Sequence, residues 1–306
     1  MEFSHRPVLL EQTIAALDIK PDGIYVDGTA GGAGHSSEIA KRLKNGFLYA
    51  LDRDPDAVKT ASERLKGLPA KVIQSNFRDM DTVLAAEGVD KVNGILLDLG
   101  VSSYQLDSAE RGFSYRKDAP LDMRMSKTGL SAADIVNTYS AEQLADIFKK
   151  YGEEKFAYRI ANRIAAERAE KPILSTVQLA DIIASSVPAA ARRDGHPARK
   201  CFQAIRIAVN GELESLEEAL DKAFGLLCKD GVLAIITFHS LEDRMVKQKF
   251  KEYCTGCICP PDFPVCVCGR TPAGRPAIRK PVEPDIKELE ENPRSRSAKL
   301  RAVIKN

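Results

Sequence analysis

Short apolar runs alternate with segments of helical spacing along the first hundred residues. The apolar runs cover 24–27, 47–51, 71–74 and 94–100, and residues 8–17 and 58–65 repeat apolar positions with helical spacing. The run at 94–100 is almost continuously apolar, which is typical of a strand buried on both faces of a parallel sheet. We therefore predict an α/β fold built on a parallel sheet.

The alternation stops after the fourth run and returns near the end. Helical spacing dominates from 107 to 210, with predicted helices at 132–137, 141–151, 155–169, 176–186 and 200–209. A helix at 212–227, a buried strand at 232–238 and a final edge strand at 298–304 follow. The pattern predicts a sheet domain in two parts, 1–106 and 211–306, around an inserted helical domain at 107–210.

A glycine-rich loop follows the first predicted strand. Gly28, Gly31, Gly32 and Gly34 fall within seven residues, and a helix should begin just after them, with Ser36 or Ser37 as its N-cap. The loop lacks the G-x-G-x-x-G spacing of dinucleotide-binding folds and the Gly-Lys-Ser/Thr of a P-loop. Taken alone, such a turn can simply connect a strand to a helix.

An acidic residue after the second predicted strand makes a nucleoside site more specific. Asp52 lies 25 residues after Asp27, close to the interval at which a carboxylate binds the ribose hydroxyls of an adenosine ligand. Asp27 directly precedes the loop, a departure from the dinucleotide pattern. This combination favours S-adenosylmethionine (SAM) over a nicotinamide cofactor.

Composition and charge limit the partners and the cellular compartment that are expected. The 306 residues carry a formal net charge of +2, so polyanion binding would depend on local basic patches. No secretory signal or transmembrane run is evident, so the cytoplasm is expected and no membrane partner is predicted. Seven cysteines are then expected as reduced thiols or metal ligands.

Several longer motifs, taken together, point to one family. They are Asp27-Gly-Thr, 31–36, 94–103, 105–107, 110–114, 120–125, 151–156, 202–206, 209–213, 238–244 and 291–301. With these motifs in this order, the chain resembles the bacterial small-subunit ribosomal RNA cytosine-N4 methyltransferases (the RsmH, formerly MraW, family) nearly from end to end.

The resemblance implies a fold, a reaction and a set of ligand contacts. The fold is that of a class I SAM-dependent methyltransferase with an inserted helical domain. The reaction is methylation of the exocyclic N4 of a cytidine in the P-site region of the decoding centre, with 16S rRNA in the small ribosomal subunit as partner. The implied SAM contacts are Ala33, Gly34, His35, Asp52, Phe77, Asp98 and Gln105.

The chemistry requires hydrogen-bond acceptors near the end of the fourth strand. The cytosine amino nitrogen is a poor nucleophile, so its N–H groups must be held while its lone pair points at the methyl carbon. The Pro-Pro motif of DNA amino-methyltransferases is absent, and the candidates for this catalytic role are Asp98, Ser102, Ser103 or a nearby carbonyl group. Asp98 could instead bind only the cofactor. His239 is either a base or a residue that braces its loop.

Basic residues form three groups that could contact RNA phosphates. They are Arg111, Arg116 and Arg124 in a loop, Arg192, Arg193, His196, Arg199, Lys200 and Arg206 in the insert, and Arg294, Arg296, Lys299 and Arg301 near the end. Phe113 and Tyr115 could stack on bases. Charge clusters also occur as ordinary solvated faces.

Five cysteines lie close together near the end of the chain. They are Cys254, Cys257, Cys259, Cys266 and Cys268, in a segment rich in proline and glycine. Four of them could hold zinc, although the spacing is not a standard double C-x2-C pair and reduced thiols are the alternative. For the whole protein, an RNA-binding ribosome-assembly factor and a methyltransferase of another base stay open as alternatives, and the oligomeric state, monomer or dimer, is undetermined.

Overall fold

The computed structural model describes residues 7–189, 195–260, 264–265 and 267–306. Arg192, Arg193 and Cys266 lie outside the described residues. The chain forms two compact units. The first contains residues 1–100 and 213–306, and the second contains residues 101–212. None of the helices in the described part is both long and apolar enough to span a bilayer.

The first unit contains a seven-stranded sheet. Its strands are β1 (Ile24–Asp27), β2 (Phe47–Asp52), β3 (Ala70–Gln74), β4 (Val92–Asp98), β5 (Leu227–Thr237), β6 (Gly274–Pro276) and β7 (Lys299–Lys305). They are arranged in the order β3-β2-β1-β4-β5-β7-β6. Strands β1 to β5 pair in parallel, and β7 is antiparallel to both of its neighbours. The predicted α/β class is confirmed.

Alternate residues of the strands enter two separate hydrophobic clusters. Leu97 belongs to one cluster and its neighbour Leu96 to the other, and Ile235 and Ile236 divide in the same way. Both faces of the sheet are therefore covered, which explains why the predicted strands are continuously apolar. The helices α1 (Leu10–Leu17), α2 (Gly34–Ala40), α3 (Pro55–Arg64), α4 (Met80–Ala86), α11 (Glu212–Leu226), α12 (Ser240–Cys254) and α13 (Ile286–Glu291) accompany the strands along the chain.

The last strand is not at the edge of the sheet, so that prediction is wrong. β7 lies between β5 and the three-residue strand β6, which forms the edge. Gly274–Pro276 contains a glycine and a proline and has no alternation, so it carried no strand signal. A short strand that contains proline is a common way to end a sheet, because it offers few free backbone groups for further pairing.

The strand order creates a reversal between β1 and β4. From β1 the chain moves outward through β2 and β3, then returns to place β4 on the other side of β1. Ligands of open α/β sheets bind outside the carboxyl ends of the strands at such a reversal. Asp27 ends β1 and Asp98 ends β4, so the ends of these two strands mark the place to look for a site.

The second unit is mainly helical. It contains α5 (Ser103–Asp107), α6 (Ala132–Thr138), α7 (Ala141–Gly152), α8 (Ala157–Glu170), α9 (Thr176–Ser186) and α10 (Ala198–Asn210). Ser131 and Ser140 begin α6 and α7 as N-caps with reciprocal capping boxes. The five helices predicted after residue 131 are present within a few residues of their expected bounds. An isolated bridge between Pro120 and Ser175 is the β-pairing in the described part of this unit.

The buried side chain of Asn210 fastens the loop before α6 to the end of α10. Its Oδ1 accepts from the Met125 backbone N–H at 2.9 Å, and its Nδ2 donates to the carbonyls of Met123 at 2.8 Å and Arg206 at 2.9 Å. Arg111, also buried, donates to the carbonyls of Arg124 and Met125. Side chains therefore supply the hydrogen bonds that this irregular backbone cannot make with itself.

Replacing Asn210 with alanine is expected to destabilise the protein by about 2–4 kcal/mol, because buried backbone groups of Met123 and Met125 lose their partner. Urea unfolding followed by circular dichroism measures the effect. Asn45→Ala is the matched control, since its amide donates at the surface to Asp22. Equal unfolding midpoints for the two variants would contradict the assigned role of Asn210.

Candidate functional site

The carboxyl ends of β1 and β4 are joined by a hydrogen-bonded network. The Asp27 carboxylate accepts from the backbone N–H of Thr29 at 3.1 Å and from the hydroxyl of Ser36 at 2.6 Å. The Thr29 hydroxyl accepts from the backbone N–H of Asp98 at 2.6 Å. Asp27 is buried, and that burial raises the pKa of its carboxyl. Through these hydrogen bonds, Asp27 fixes the conformation of the glycine loop.

The helix after the loop does not begin as the sequence predicted. Ala33 is the residue before α2 and caps it without a side-chain hydrogen bond, so Ser36 and Ser37 are not N-caps. The hydroxyl of Ser36 binds Asp27, and that of Ser37 donates to the Ala33 carbonyl at 2.6 Å. Both serines form their hydrogen bonds within the first turn of α2, and the bond from Ser36 to Asp27 holds the loop to β1.

A short N-terminal segment, residues 7–9, covers the end of the loop. A Cβ added at Gly34 would lie 2.3 Å from Pro7 Cγ, so a larger residue would displace this segment. Nε2 of His35 lies 3.0 Å from the Val8 carbonyl, and the Leu9 backbone N–H donates to Glu288 at 2.8 Å. Two of the predicted cofactor residues, Gly34 and His35, thus have a defined structural role in the loop.

Asp52 is oriented toward the loop. One of its carboxylate oxygens accepts from the Gly31 backbone N–H at 2.7 Å, and the other accepts from the Asp54 backbone N–H at 2.8 Å. Burial raises its pKa to about 6. Each carboxylate oxygen can accept a further hydrogen bond, so Asp52 retains capacity for two ligand hydroxyl groups.

Asp98 carries an unsatisfied buried oxygen. Within the described part of the chain, its Oδ1 is buried and has no hydrogen-bond partner. The side chain is 25% exposed, so the same carboxyl group can be reached from solvent. Burial raises its pKa well above the usual value, and the charges of Asp27 and Glu242 raise it further. A ligand that donates to the exposed part of this carboxyl group would compensate for its missing hydrogen bonds.

His35 faces the same carboxyl group. Its Nδ1 lies 3.6 Å from Asp98 Oδ2, and burial lowers its pKa to about 4. The imidazole is therefore neutral near pH 7. With Nε2 donating its hydrogen to the Val8 carbonyl, Nδ1 is an acceptor that faces Asp98.

His35 should make the fold sensitive to mild acid. Between its folded pKa of about 4 and the unfolded value of 6.5, the unfolded chain binds the proton more readily, so this contribution to stability is lost as the pH falls. Lowering the pH from 7 to 5 should remove about 2 kcal/mol through this residue. His35→Gln, which can still donate to Val8, should reduce the loss by that amount in denaturant titrations at both pH values. An unchanged pH dependence would contradict the assignment.

The other predicted residues are distributed between the two units. Phe77 follows β3, packs against the core of the first unit and abuts the loop, since a Cβ at Gly28 would lie 2.9 Å from Phe77 Cβ. In the second unit, Ser103 begins α5, Ser102 is its N-cap, and Gln105 completes a capping box. The hydroxyl of Ser102 accepts from the Gln105 backbone N–H at 3.2 Å.

The contacts of His239 are those of a structural residue. It is the N-cap of α12, and its Nδ1 accepts from the Glu242 backbone N–H at 3.4 Å. The Glu242 carboxylate in turn accepts from the backbone N–H groups of Phe238 and His239. Of the two alternatives raised by the sequence, this geometry favours the brace.

Several of the basic residues proposed to contact RNA form ion pairs within the protein or are buried. Arg124 pairs with Asp122, Arg206 with Glu212, and Arg301 with Asp243, and Arg111 is buried. Exposed basic side chains of the second unit include Arg116, Arg199 and Lys200. Nearby in that unit, the ring of Tyr115 stacks on His196 at 4.5 Å and meets the edge of Phe202 at 5.4 Å.

Thr29 and Glu242 are site residues that the sequence did not single out. Thr29 lies two positions after Asp27, the spacing at which an aspartate side chain accepts from the backbone in a local turn, and this was the available signal. Glu242 lies in α12 and affects Asp98 from there, so no local sequence pattern marks it as a site residue.

The strand order, the glycine loop held by Asp27 and the acidic residues ending β2 and β4 are those of a class I SAM-dependent methyltransferase. The orphaned Asp98 oxygen and the remaining acceptor capacity of Asp52 fit such a ligand. A family model described as the MraW methylase family matches residues 2–306. The chain belongs to this family.

Two curated relatives agree with that placement. The chain is 54% identical to a ribosomal RNA small subunit methyltransferase H from Clostridium botulinum, over 100% of both chains. It is also 54% identical, again over 100% of both chains, to the protein of that name from Acetivibrio thermocellus. A solved rRNA methylase from Streptococcus thermophilus aligns with a TM-score of 0.43 and 12% identity, covering 99% of each chain.

Proposed function

We propose that this enzyme methylates 16S rRNA in the small ribosomal subunit, at the exocyclic N4 of a cytidine in the P-site region of the decoding centre. The full-length relatives named small subunit methyltransferases support the RNA class. The observation that carries the assignment to an amino group is the Asp98 carboxyl group at the end of β4, which is partly exposed and whose Oδ1 has no hydrogen-bond partner within the described part of the chain. A carboxylate oxygen is suited to hold an N–H group.

Asp98 acts as the acceptor that orients the cytosine amino group. One N–H donates to Asp98, which turns the nitrogen lone pair toward the reacting carbon. SAM, when bound, would supply the methyl group as a methylsulfonium, whose sulfur would keep the electron pair of the S–C bond as the methyl group passes to the nitrogen. The nitrogen then loses a proton. The Asp98 carboxylate takes up this proton, a role that its raised pKa favours, and the neutral His35 faces the same carboxyl group.

The remaining predicted roles are kept as part of the proposal. Asp52 accepts the ribose hydroxyls, Phe77 lies against the base, and Ala33, Gly34 and His35 form the loop beside the ligand. In the second unit, Gln105 contributes to the cofactor site, and Ser102 and Ser103 are further acceptors for the amino group. The N-cap bond of Ser102 makes Asp98 the stronger candidate for orientation.

The second unit supplies RNA contacts in this proposal. The exposed side chains of Arg116, Arg199 and Lys200 bind phosphates, because among the described residues they have no carboxylate partner such as those of Arg124 and Arg206. The affinity for small subunits should therefore fall as salt is raised, and Arg199→Ala should reduce the steepness of this dependence.

Methyl transfer from labelled SAM to unmodified small ribosomal subunits tests the function. Nucleoside analysis of the product should give N4-methylcytidine in 16S rRNA. A different methylated base would replace the substrate assignment while leaving the enzyme class intact. Particle binding without any methylated product, in protein that binds SAM, would favour the ribosome-assembly factor instead.

A further inference from the structure

A cysteine-bearing loop joins α12 to β6, and its described residues form no hydrophobic core of their own. Of its described residues between Thr255 and Ala273, none is buried, and the apolar side chains of Ile258, Val265 and Val267 are all more than half exposed. A loop of this length without regular structure needs some other means of holding its shape. The two ends of the loop lie close together, because a Cβ on Gly256 would be 3.1 Å from Pro272.

Three cysteines converge inside this loop. The sulfur atoms of Cys257, Cys259 and Cys268 all lie within 4.8 Å of one another. The sulfurs of Cys257 and Cys268 are 3.8 Å apart. In a tetrahedral zinc site with Zn–S bonds of about 2.3 Å, two sulfurs are separated by about 3.8 Å. The observed separation, which also allows a thiol–thiol hydrogen bond, therefore matches that of two ligands on one zinc ion.

The backbone around the cluster also fits a metal site. The backbone N–H of Val267 points at the Cys259 sulfur, with N and S 3.4 Å apart. Such N–H groups stabilise the negative charge of metal-bound thiolates. Gly269, directly after Cys268, has a φ of 60°, which lets the chain turn tightly next to the ligand. No carboxylate or histidine joins these thiols in the described part of the chain, so the donor set is soft.

We propose that Cys257, Cys259 and Cys268 bind a zinc ion that fixes this loop, a structural role separate from methyl transfer. Three thiolates select zinc over hard cations such as magnesium or calcium. The zinc ion stabilises the loop in place of a hydrophobic core. It links Cys257 and Cys259, which follow α12, to Cys268, which precedes β6. Because the ligands are thiolates, binding releases protons and weakens as the pH falls.

Metal analysis of the full-length protein, purified without chelator from zinc-supplemented medium, tests the site. Wild type should retain about one zinc ion per chain, and Cys257→Ser and Cys268→Ser should each lose most of it. Cys228→Ser, which changes a cysteine near Asn93 outside the cluster, is the matched control and should retain the metal. Less than about 0.2 zinc per chain in reduced wild type would overturn the proposal.

A second measurement does not depend on the folding of the variants. Wild type stripped with a chelator under reducing conditions should be cut by protease within the loop, and added zinc should restore protection. Cobalt added to the stripped protein should give a thiolate-to-cobalt charge-transfer band that is absent in Cys268→Ser. A disulfide between Cys257 and Cys268 that forms in place of metal binding, seen by mass spectrometry of protein prepared with zinc, would contradict the site.

Discussion

Replacing Asp98 with asparagine is expected to slow methyl transfer by about 10³-fold and, at pH 8, to make the folded protein more stable. The slower reaction follows from the loss of the carboxyl group that accepts the amino N–H and takes up its proton, an effect within the range measured for positioned acid–base groups. The gain in stability follows because burial and the neighbouring acidic groups disfavour an ionised Asp98. This carboxyl group is kept for function at a cost to the fold.

The pH dependence of stability separates these two effects. Since the pKa of Asp98 is raised in the folded state, the folded protein holds its proton more strongly, and this contribution to stability is lost as the pH rises through the folded pKa. Asp98→Asn should remove that loss, as measured by urea unfolding between pH 5 and 8. Asp90→Asn, an exposed aspartate before the amino end of β4, should change neither stability nor rate.

The kinetic constants decide which molecule Asp98 contacts. If it orients the cytosine amino group, kcat falls at saturating SAM and the SAM dissociation constant changes little. A variant with wild-type kcat but much weaker SAM binding would show that Asp98 contacts the cofactor alone. That result would remove Asp98 from the orienting role.

Asp52→Ala is expected to weaken SAM binding by about 100-fold. Two charge-assisted hydrogen bonds to the ribose, at about 1.5 kcal/mol each, account for this factor. Since the pKa of Asp52 is raised to about 6, SAM affinity of the wild type should also fall as the pH is lowered through 6. Isothermal titration calorimetry at pH 5 and 8 measures both effects.

A ribose-modified ligand distinguishes lost contacts from a disturbed loop. Asp52 also accepts from the Gly31 and Asp54 backbones, so removing it could weaken binding indirectly. Wild type should bind a 2′-deoxyribose analogue of SAM more weakly than SAM, and Asp52→Ala should bind the two nearly equally. If the variant keeps the wild-type preference, Asp52 does not contact the ribose.

The fold was predictable where a pattern repeats locally. The four apolar runs became β1 to β4, and Asp54-Pro55 begins α3 with an aspartate N-cap and a proline in the first turn. Elements without a repeating pattern were missed or misplaced. β6 is three residues long, and β7 was expected at the edge because the sequence does not reveal that the preceding segment adds a further strand.

The site was predictable as a set of strand ends but not as a network. Asp52 and Asp98 follow apolar runs, so their positions could be inferred from the chain alone. The hydrogen bond from the Ser36 hydroxyl to Asp27 could not be inferred, because a serine near a helix start is more often a cap. The pairing of Arg301 with Asp243 joins residues far apart in the sequence, so no local pattern separates it from an RNA-binding arginine.

The covering of the glycine loop by residues 7–9 has a consequence for biosynthesis. This segment and the loop are synthesised well before Glu288, which accepts from the Leu9 backbone. A growing chain can form β1 and β2 early, but the hydrogen bond between Leu9 and Glu288 can form only after Glu288 has left the ribosome. Residues 7–9 are therefore held by this bond only in the later stages of folding.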